Sequence, residues 1–173
     1  MNYLTKLIKY GKNLVAKLGN TKEEDMPRTF VFGYGSLLSE NNLQGTLPGK
    51  KHAGWADLQD YQRVFNKAGL EHAYLNIRKE EGSVVRGVLV EVNPSELARL
   101  AQREQGYELV DVTDYISPVP EDAQVLTFIA PGLESMPVRG SYLKRVLEGV
   151  PKEEHDRWIA ETDFQGRKID ESS

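Results

Sequence analysis

Two stretches of the chain carry residue types at a spacing that could do chemistry. In "FVFGYGSLL", residues 30–38, an apolar run from Phe30 to Phe32 stops at Gly33 and Gly35, one residue apart. Tyr34 sits between them, and Ser36, Leu37 and Leu38 follow. This is the pattern of a strand running into a tight turn whose backbone faces something. The second stretch begins at Asn93, which can cap a helix that Pro94 opens and Glu96 closes as a capping box. Leu97, Leu100 and Ala101 then fall on one face, and the next position on that stripe is Glu104. The period thus points a carboxylate inward, just before Gln105-Gly106. Burying a carboxylate is costly unless it is paired or hydrogen-bonded, and desolvation raises its pKa. A pKa raised toward neutrality suits a general acid/base. The period leaves two other outcomes open: the helix end frays and turns Glu104 outward, or Glu104 pairs with an arginine. Glu80, Glu81, Glu153 and Glu154 lie in charged runs and read as solvated.

Familiar motifs do not fit these residues. Gly33-Tyr34-Gly35 opens like a dinucleotide fingerprint, but Leu38 occupies the third glycine position. Ser36 is no nucleophile elbow, because Tyr34 and Leu38 stand where that motif has glycines. "GTLPGKK", residues 45–51, is one residue short of a phosphate loop and lacks a Ser or Thr after the lysine. His52, His72 and His155 have no metal-ligand spacing and read as surface or structural histidines.

The elements that must position these residues follow from the rest of the chain. Its 173 residues suffice for one domain with a core. Apolar residues make up 39% and charged residues 28%, the balance of a soluble globular protein. The net charge of −4 argues against nucleic acid as the main partner, since phosphate binding needs a concentrated basic face. Having no cysteine, the chain has no disulfide, thiolate nucleophile or cysteine-based zinc site. The composition suits a reducing cytoplasm, and a cytoplasmic location is expected. No window approaches the ~18 apolar residues of a membrane span. Lys6, Lys9 and Lys12 interrupt any apolar core of a secretory signal.

Residues 1–26 read as a helical extension and linker. Leu4, Leu7, Ile8, Leu14, Val15 and Leu18 share a face, and the charged side chains of residues 1–20 are all lysines. That stretch fits either an amphipathic helix for an anionic membrane or a partner protein, or a helix docked on its own domain. The main domain is expected over residues 27–165, with a polar tail at 166–173. Strands are expected at 29–34, 58–66, 83–92, 107–113 and 124–130, and helices at 94–105, 139–149 and 151–161. Pro151 would open the last of these. The order is mostly β with inserted helices, an α+β pattern rather than regular βαβ alternation.

Taken together, Tyr34-Gly35-Ser36-Leu37 after a first strand and an inward Glu104 at a later helix end resemble the γ-glutamylcyclotransferase-like, or AIG2-like, family. The family signature is a Tyr-Gly-Ser-Leu turn followed by a glutamate in a segment of the type "LD..EG". Here that segment reads "LAQREQGY". "ADLQDYQRVFN" (56–66), "AYLNIRKEEGSVVRGVLVEV" (73–92) and "SYLKRVLEGV" (141–150) also resemble the family. The likeness spans about residues 29–150 and leaves out the N-terminal extension. Three departures stand out. Ala101 replaces the family's aspartate, the glycine after the glutamate is displaced to Gly106, and Phe128 stands where relatives often have tyrosine.

The resemblance implies a small mixed β-barrel or strongly curved sheet flanked by helices. It implies release of 5-oxoproline from a small-molecule γ-glutamyl compound by attack of the substrate's own α-amino group on its γ-carbonyl. Glu104 would be the general acid/base. Tyr34, Gly35, Ser36 and Leu37 would bind the γ-glutamyl group, their backbone N–H groups serving its oxygens. Tyr107 and Tyr142 would be pocket aromatics or core residues. No metal or organic cofactor is required. A non-catalytic module binding a γ-glutamyl-type ligand on the same fold is the alternative, as is removal of a γ-glutamyl protecting group. Gly35 is expected to be the sensitive position in the turn, with Ser36→Ala tolerated.

Overall fold

The β-rich stretch from Gly54 to Glu91 sets the frame. In the computed structural model, which describes residues 27–69, 71–132 and 137–171, it forms one long antiparallel hairpin. Its arms are β2 (Gly54–Ala68) and β3 (Ala73–Glu91). The arms are not straight. Gln59 pairs with Val84 and Tyr61 with Lys79, so residues 80–83 bulge against Asp60 alone. Asp60 and Gly82 both take positive φ there, and the Gly82 N–H donates to the Asp60 carboxylate at 2.9 Å. Such a bulge bends and twists the ribbon. One half of the hairpin then pairs with β1 (Arg28–Gly33) and β5 (Ile116–Ser117). The other half pairs with β7 (Val138–Arg139) and β8 (Thr162–Asp163).

With β4 (Glu108–Asp111), β6 (Ala123–Ile129) and β9 (Ile169–Asp170), the described residues form a nine-stranded mixed sheet. The main order is β4-β6-β1-β3-β2-β5. Four helices flank this curved sheet: α1 (Glu40–Thr46), α2 (Pro94–Arg103), α3 (Gly140–Leu147) and α4 (His155–Ala160). None is long and apolar enough to cross a membrane.

Strand β1 explains its own continuous apolar run. It lies between β6, which it pairs in parallel, and β3. Both of its faces are covered, as in a central parallel strand. Phe30 and Phe32 enter one apolar cluster with Leu58, Phe65 and Leu75. Val31 enters the other with Leu43, Leu100 and Tyr107. The turn after β1 keeps this division, since Tyr34 and Leu38 belong to the first cluster and Leu37 to the second.

Several expected bounds move. The strand expected at 83–92 is the second half of β3, which begins at Ala73; the run Arg78–Glu81 interrupts the apolar pattern of its first half. Glu80 and Glu81 sit at the exposed bulge, while Arg78 and Lys79 remain paired in the ladder. The helix expected at 151–161 divides into a 3₁₀ turn, Lys152–Glu154, and α4, so Pro151 precedes the helical residues. Residues 169–170, placed in a polar tail, form β9 against β7. Helix α1 was not foreseen; Ser39 caps it by accepting the Asn42 N–H at 3.5 Å. The amphipathic stretch 1–26 lies outside the described residues.

Candidate functional site

Local backbone chemistry builds the first wall. After Gly33 the chain folds back so tightly that a Cβ on Gly33 would stand 2.8 Å from the Cβ of Leu37. Residues Ser36–Leu38 make one 3₁₀ turn. Leu38 N–H donates to the Gly35 carbonyl at 2.9 Å and Ser39 N–H to Ser36 at 3.4 Å. The opening amides of such a turn have no partner within it. Among the described residues no acceptor meets the N–H groups of Gly35, Ser36 or Leu37.

Helix α2 supplies the carboxylate. Its capping box is formed, with Asn93 accepting the Glu96 N–H at 3.0 Å and Glu96 accepting the Asn93 N–H at 2.9 Å. Leu100 and Ala101 are fully buried. The regular helix stops at Arg103, two residues sooner than expected, and Glu104 is its C-cap. Glu104 still follows the stripe inward: its side chain is only 18% exposed. Its Oε1 lies 3.5 Å from Nε of Arg103. Both open outcomes are thus resolved: Glu104 does not fray outward, and it does have an arginine beside it. Burial pushes its carboxyl above the ordinary glutamate range, against the lowering pull of Arg103 and then Lys67.

Arg103 itself was not foreseen. Its Nη2 donates to Ser36 Oγ at 2.8 Å, and its Nη1 donates to Thr46 Oγ1 at 2.8 Å and to the Asn42 carbonyl at 3.2 Å. One guanidinium therefore ties the turn, α1 and Glu104 together. Helical periodicity gave no signal for it, because it lies off the apolar stripe and its partners are distant in sequence. The tie also gives the Ser36 hydroxyl a side-chain partner.

Tyrosines make the remaining walls. Tyr34 donates its hydroxyl to the Phe128 carbonyl at 2.6 Å, and Tyr107 donates to the Leu75 carbonyl at 2.7 Å. Tyr142, on α3, meets Tyr74 edge-on at 5.0 Å. Burial raises all three phenols above their ordinary value, and the neighbouring Glu104 adds to the effect. They remain neutral phenols across the working pH range. Tyr34 and Tyr107 already give their protons to main-chain carbonyls.

These pieces line one small, half-open cavity. Tyr34, Gly35, Ser36, Leu37, Glu104, Tyr107 and Tyr142 all line it, together with Phe32, Gly33, Leu75 and Phe128. Glu104 is the sole carboxylate among them. The crowding expected at Gly35 is mild, since a Cβ there would meet Leu75 Cδ2 at 3.3 Å and the Tyr142 hydroxyl at 3.8 Å. Gly33 is the tighter position. Among the described residues no three His, Cys, Asp or Glu side chains gather as a metal site.

A family model described as gamma-glutamyl cyclotransferase, AIG2-like, matches residues 31–149. No curated protein matches the chain significantly. Solved structures share the fold. A human protein described as uncharacterized aligns at TM-score 0.64 and 22% identity, over 84% of this chain and 95% of its own. A protein described as a gamma-glutamyl cyclotransferase aligns at TM-score 0.65 and 21% identity, with the same coverage. YkqA from Bacillus subtilis aligns at TM-score 0.61 and 18% identity, over 89% of this chain and 60% of its own. At these identities the likeness is one of fold.

Proposed function

The chain belongs to the γ-glutamyl cyclotransferase, AIG2-like family, and from that premise we propose that it cleaves a γ-glutamyl amide, releasing 5-oxoproline and an amine or amino acid. The observation that carries this reading is a largely buried Glu104 carboxylate sharing one cavity with the open amides of Gly35, Ser36 and Leu37.

The chemistry needs both. A substrate's α-amino group is an ammonium at neutral pH and cannot attack. Glu104 takes one of its protons, and the freed amine adds to the γ-carbonyl carbon. The carbonyl oxygen becomes an oxyanion, which the turn's N–H groups stabilise. As the bond to the leaving amine breaks, the protonated Glu104 gives its proton to that nitrogen, and the surplus proton of the new ring nitrogen passes through the freed carboxylate to the departing amine. The products are the five-membered lactam and the amine in its ammonium form, and Glu104 ends as it began. A carboxyl held above its ordinary range suits this exchange, since a base far more acidic than its substrate transfers protons poorly. General acid/base catalysis contributes roughly 10²–10⁴-fold. One preorganised oxyanion donor contributes about 3 kcal/mol. Tyr34, Tyr107 and Tyr142 wall the cavity, and a substrate held there already bent, with its reacting ends together, would need less of the remaining barrier supplied.

The test is a panel of γ-glutamyl dipeptides, glutathione and γ-glutamyl amines, scored by 5-oxoproline formed. Release from at least one compound is expected. Binding without release across the panel would replace this reading with that of a non-catalytic γ-glutamyl-binding module.

A further inference from the structure

Beside the cavity stands a cation that the proposed chemistry does not use. Lys67 lies near the end of β2, just past a second irregularity of the hairpin. Phe65 pairs with Leu75 and Lys67 with Tyr74, so Asn66 is the extra residue. Bulges of this kind re-aim the side chains that follow them. This one is pinned from inside. The Asn76 amide donates to Asn66 Oδ1 and to the Ala130 carbonyl, both at 2.8 Å, and accepts the Ala130 N–H at 2.9 Å. Asn76 is fully buried.

The pinned bulge sets Lys67 against Tyr107, a wall of the cavity. Its Nζ lies 4.8 Å from the ring centre of Tyr107 and 5.5 Å from that of Tyr74. Tyr107 lines the cavity, and Tyr74 packs on the cavity-lining Tyr142. Gly106, at φ +83, leaves room for the lysine stem, which a Cβ there would touch at 3.6 Å. Among the described residues no carboxylate lies within ion-pair distance of Lys67, and Glu104 feels its charge only from further away. A half-buried ammonium seated on two aromatic faces, without an acid, is a ready partner for an anion.

Resting on the reading above, we infer that Lys67 selects the leaving group: it binds a carboxylate on the amine that departs, so the preferred substrates are γ-glutamyl amino acids or peptides rather than γ-glutamyl amines. Lys67 flanks Tyr107 without lining the cavity itself, so it can meet only a part of the substrate that reaches past the reacting γ-glutamyl group. The substrate's own α-carboxylate, one bond from the reacting α-carbon, belongs deeper, with the turn.

The probes are γ-glutamyl-alanine and γ-glutamyl-alaninamide, which differ only in the terminal carboxylate. Binding is measured by calorimetry on the full chain carrying Glu104→Gln, which separates affinity from turnover. The acid should bind about tenfold tighter than the amide, the scale of one charge-assisted contact. Adding Lys67→Met should bring the two affinities together, whereas Lys67→Arg should keep them apart. The active chain should show the same change in the acid-to-amide ratio of kcat/KM, in which any shared effect on Glu104 cancels. Equal affinities without the Lys67 change, no binding of either probe, or a preference that survives Lys67→Met would each overturn the inference. A preference that vanishes with Lys67→Met, in a chain that releases no 5-oxoproline, would uphold Lys67 while refuting the catalytic reading.

Discussion

At Glu104 desolvation and ion pairing oppose each other, and desolvation wins. The carboxyl is held above its ordinary range, so its protonated form is more favoured in the folded than in the unfolded chain. Stability from that site is present below the unfolded glutamate value of about 4.3 and is lost as pH rises through the folded value. Glu104→Gln should therefore melt at a higher temperature than the parent chain at pH 7, with the gap closing near pH 4. Thermal melts at the two pH values check this, and a less stable Gln variant at pH 7 would mean that the contact with Arg103 outweighs burial. Arg103 makes a separate prediction. It pulls the Glu104 carboxyl down, so Arg103→Met should move the acid limb of kcat/KM to higher pH. Losing its bonds to Ser36, Asn42 and Thr46 should also cost about 1–3 kcal/mol in denaturant titration. The family's aspartate position, Ala101, is fully buried between α2 and its neighbours, so the missing carboxylate leaves no orphaned charge there.

Among the elements, the turn after β1 and the end of α2 differ in how plainly the chain announces them. Helix α2 was legible because every local signal agreed: cap, Pro94, capping box and apolar stripe. Its last two expected residues were not, because a left-handed Gly106 lets the chain leave the helix early. The first half of β3 was illegible for another reason. Its bulge depends on a contact between Asp60 and Gly82 across the hairpin, which no local period encodes. The turn itself was legible as a turn, but not which glycine packing needs most. A methyl on Gly33 would stand 2.8 Å from Leu37 Cβ, inside any tolerated contact, whereas one on Gly35 meets a movable Leu75 at 3.3 Å. Gly33→Ala should therefore lose about 1–3 kcal/mol of stability, as overpacked sites do. Gly35→Ala should fold nearly as stably and lose activity through the cavity. Equal stability loss in both variants, measured in urea, would contradict this difference.

For the molecule as a whole, the site lies where two apolar clusters meet across β1. The turn contributes Tyr34 to one and Leu37 to the other, which holds its backbone in place from both sides. The pairing of the turn with Glu104 across the fold was legible only through the family pattern, because nothing local links the two. The C-terminal residues also matter at this scale. The Val138 N–H donates to the Lys168 carbonyl at 2.9 Å, Arg167 bonds the Phe65 carbonyl, and Gly140 at the start of α3 abuts Asp170 so closely that a Cβ would come within 2.7 Å of its carbonyl oxygen. Helix α3 carries Tyr142, so removing residues 166–173 should cost about 2–3 kcal/mol through these lost bonds and lower activity as well. A truncated chain with unchanged denaturation midpoint and rate would show that the segment is dispensable. Glu104 is proposed to move the protons of a γ-glutamyl cyclisation. The most direct test is 5-oxoproline release by the parent chain and by Glu104→Gln, on the best compound of the γ-glutamyl panel and with folding verified by circular dichroism. Release by the parent is expected, with a fall of roughly 10²–10⁴-fold or more in the variant; turnover by Glu104→Gln at the parent rate would overturn the role proposed for this carboxylate.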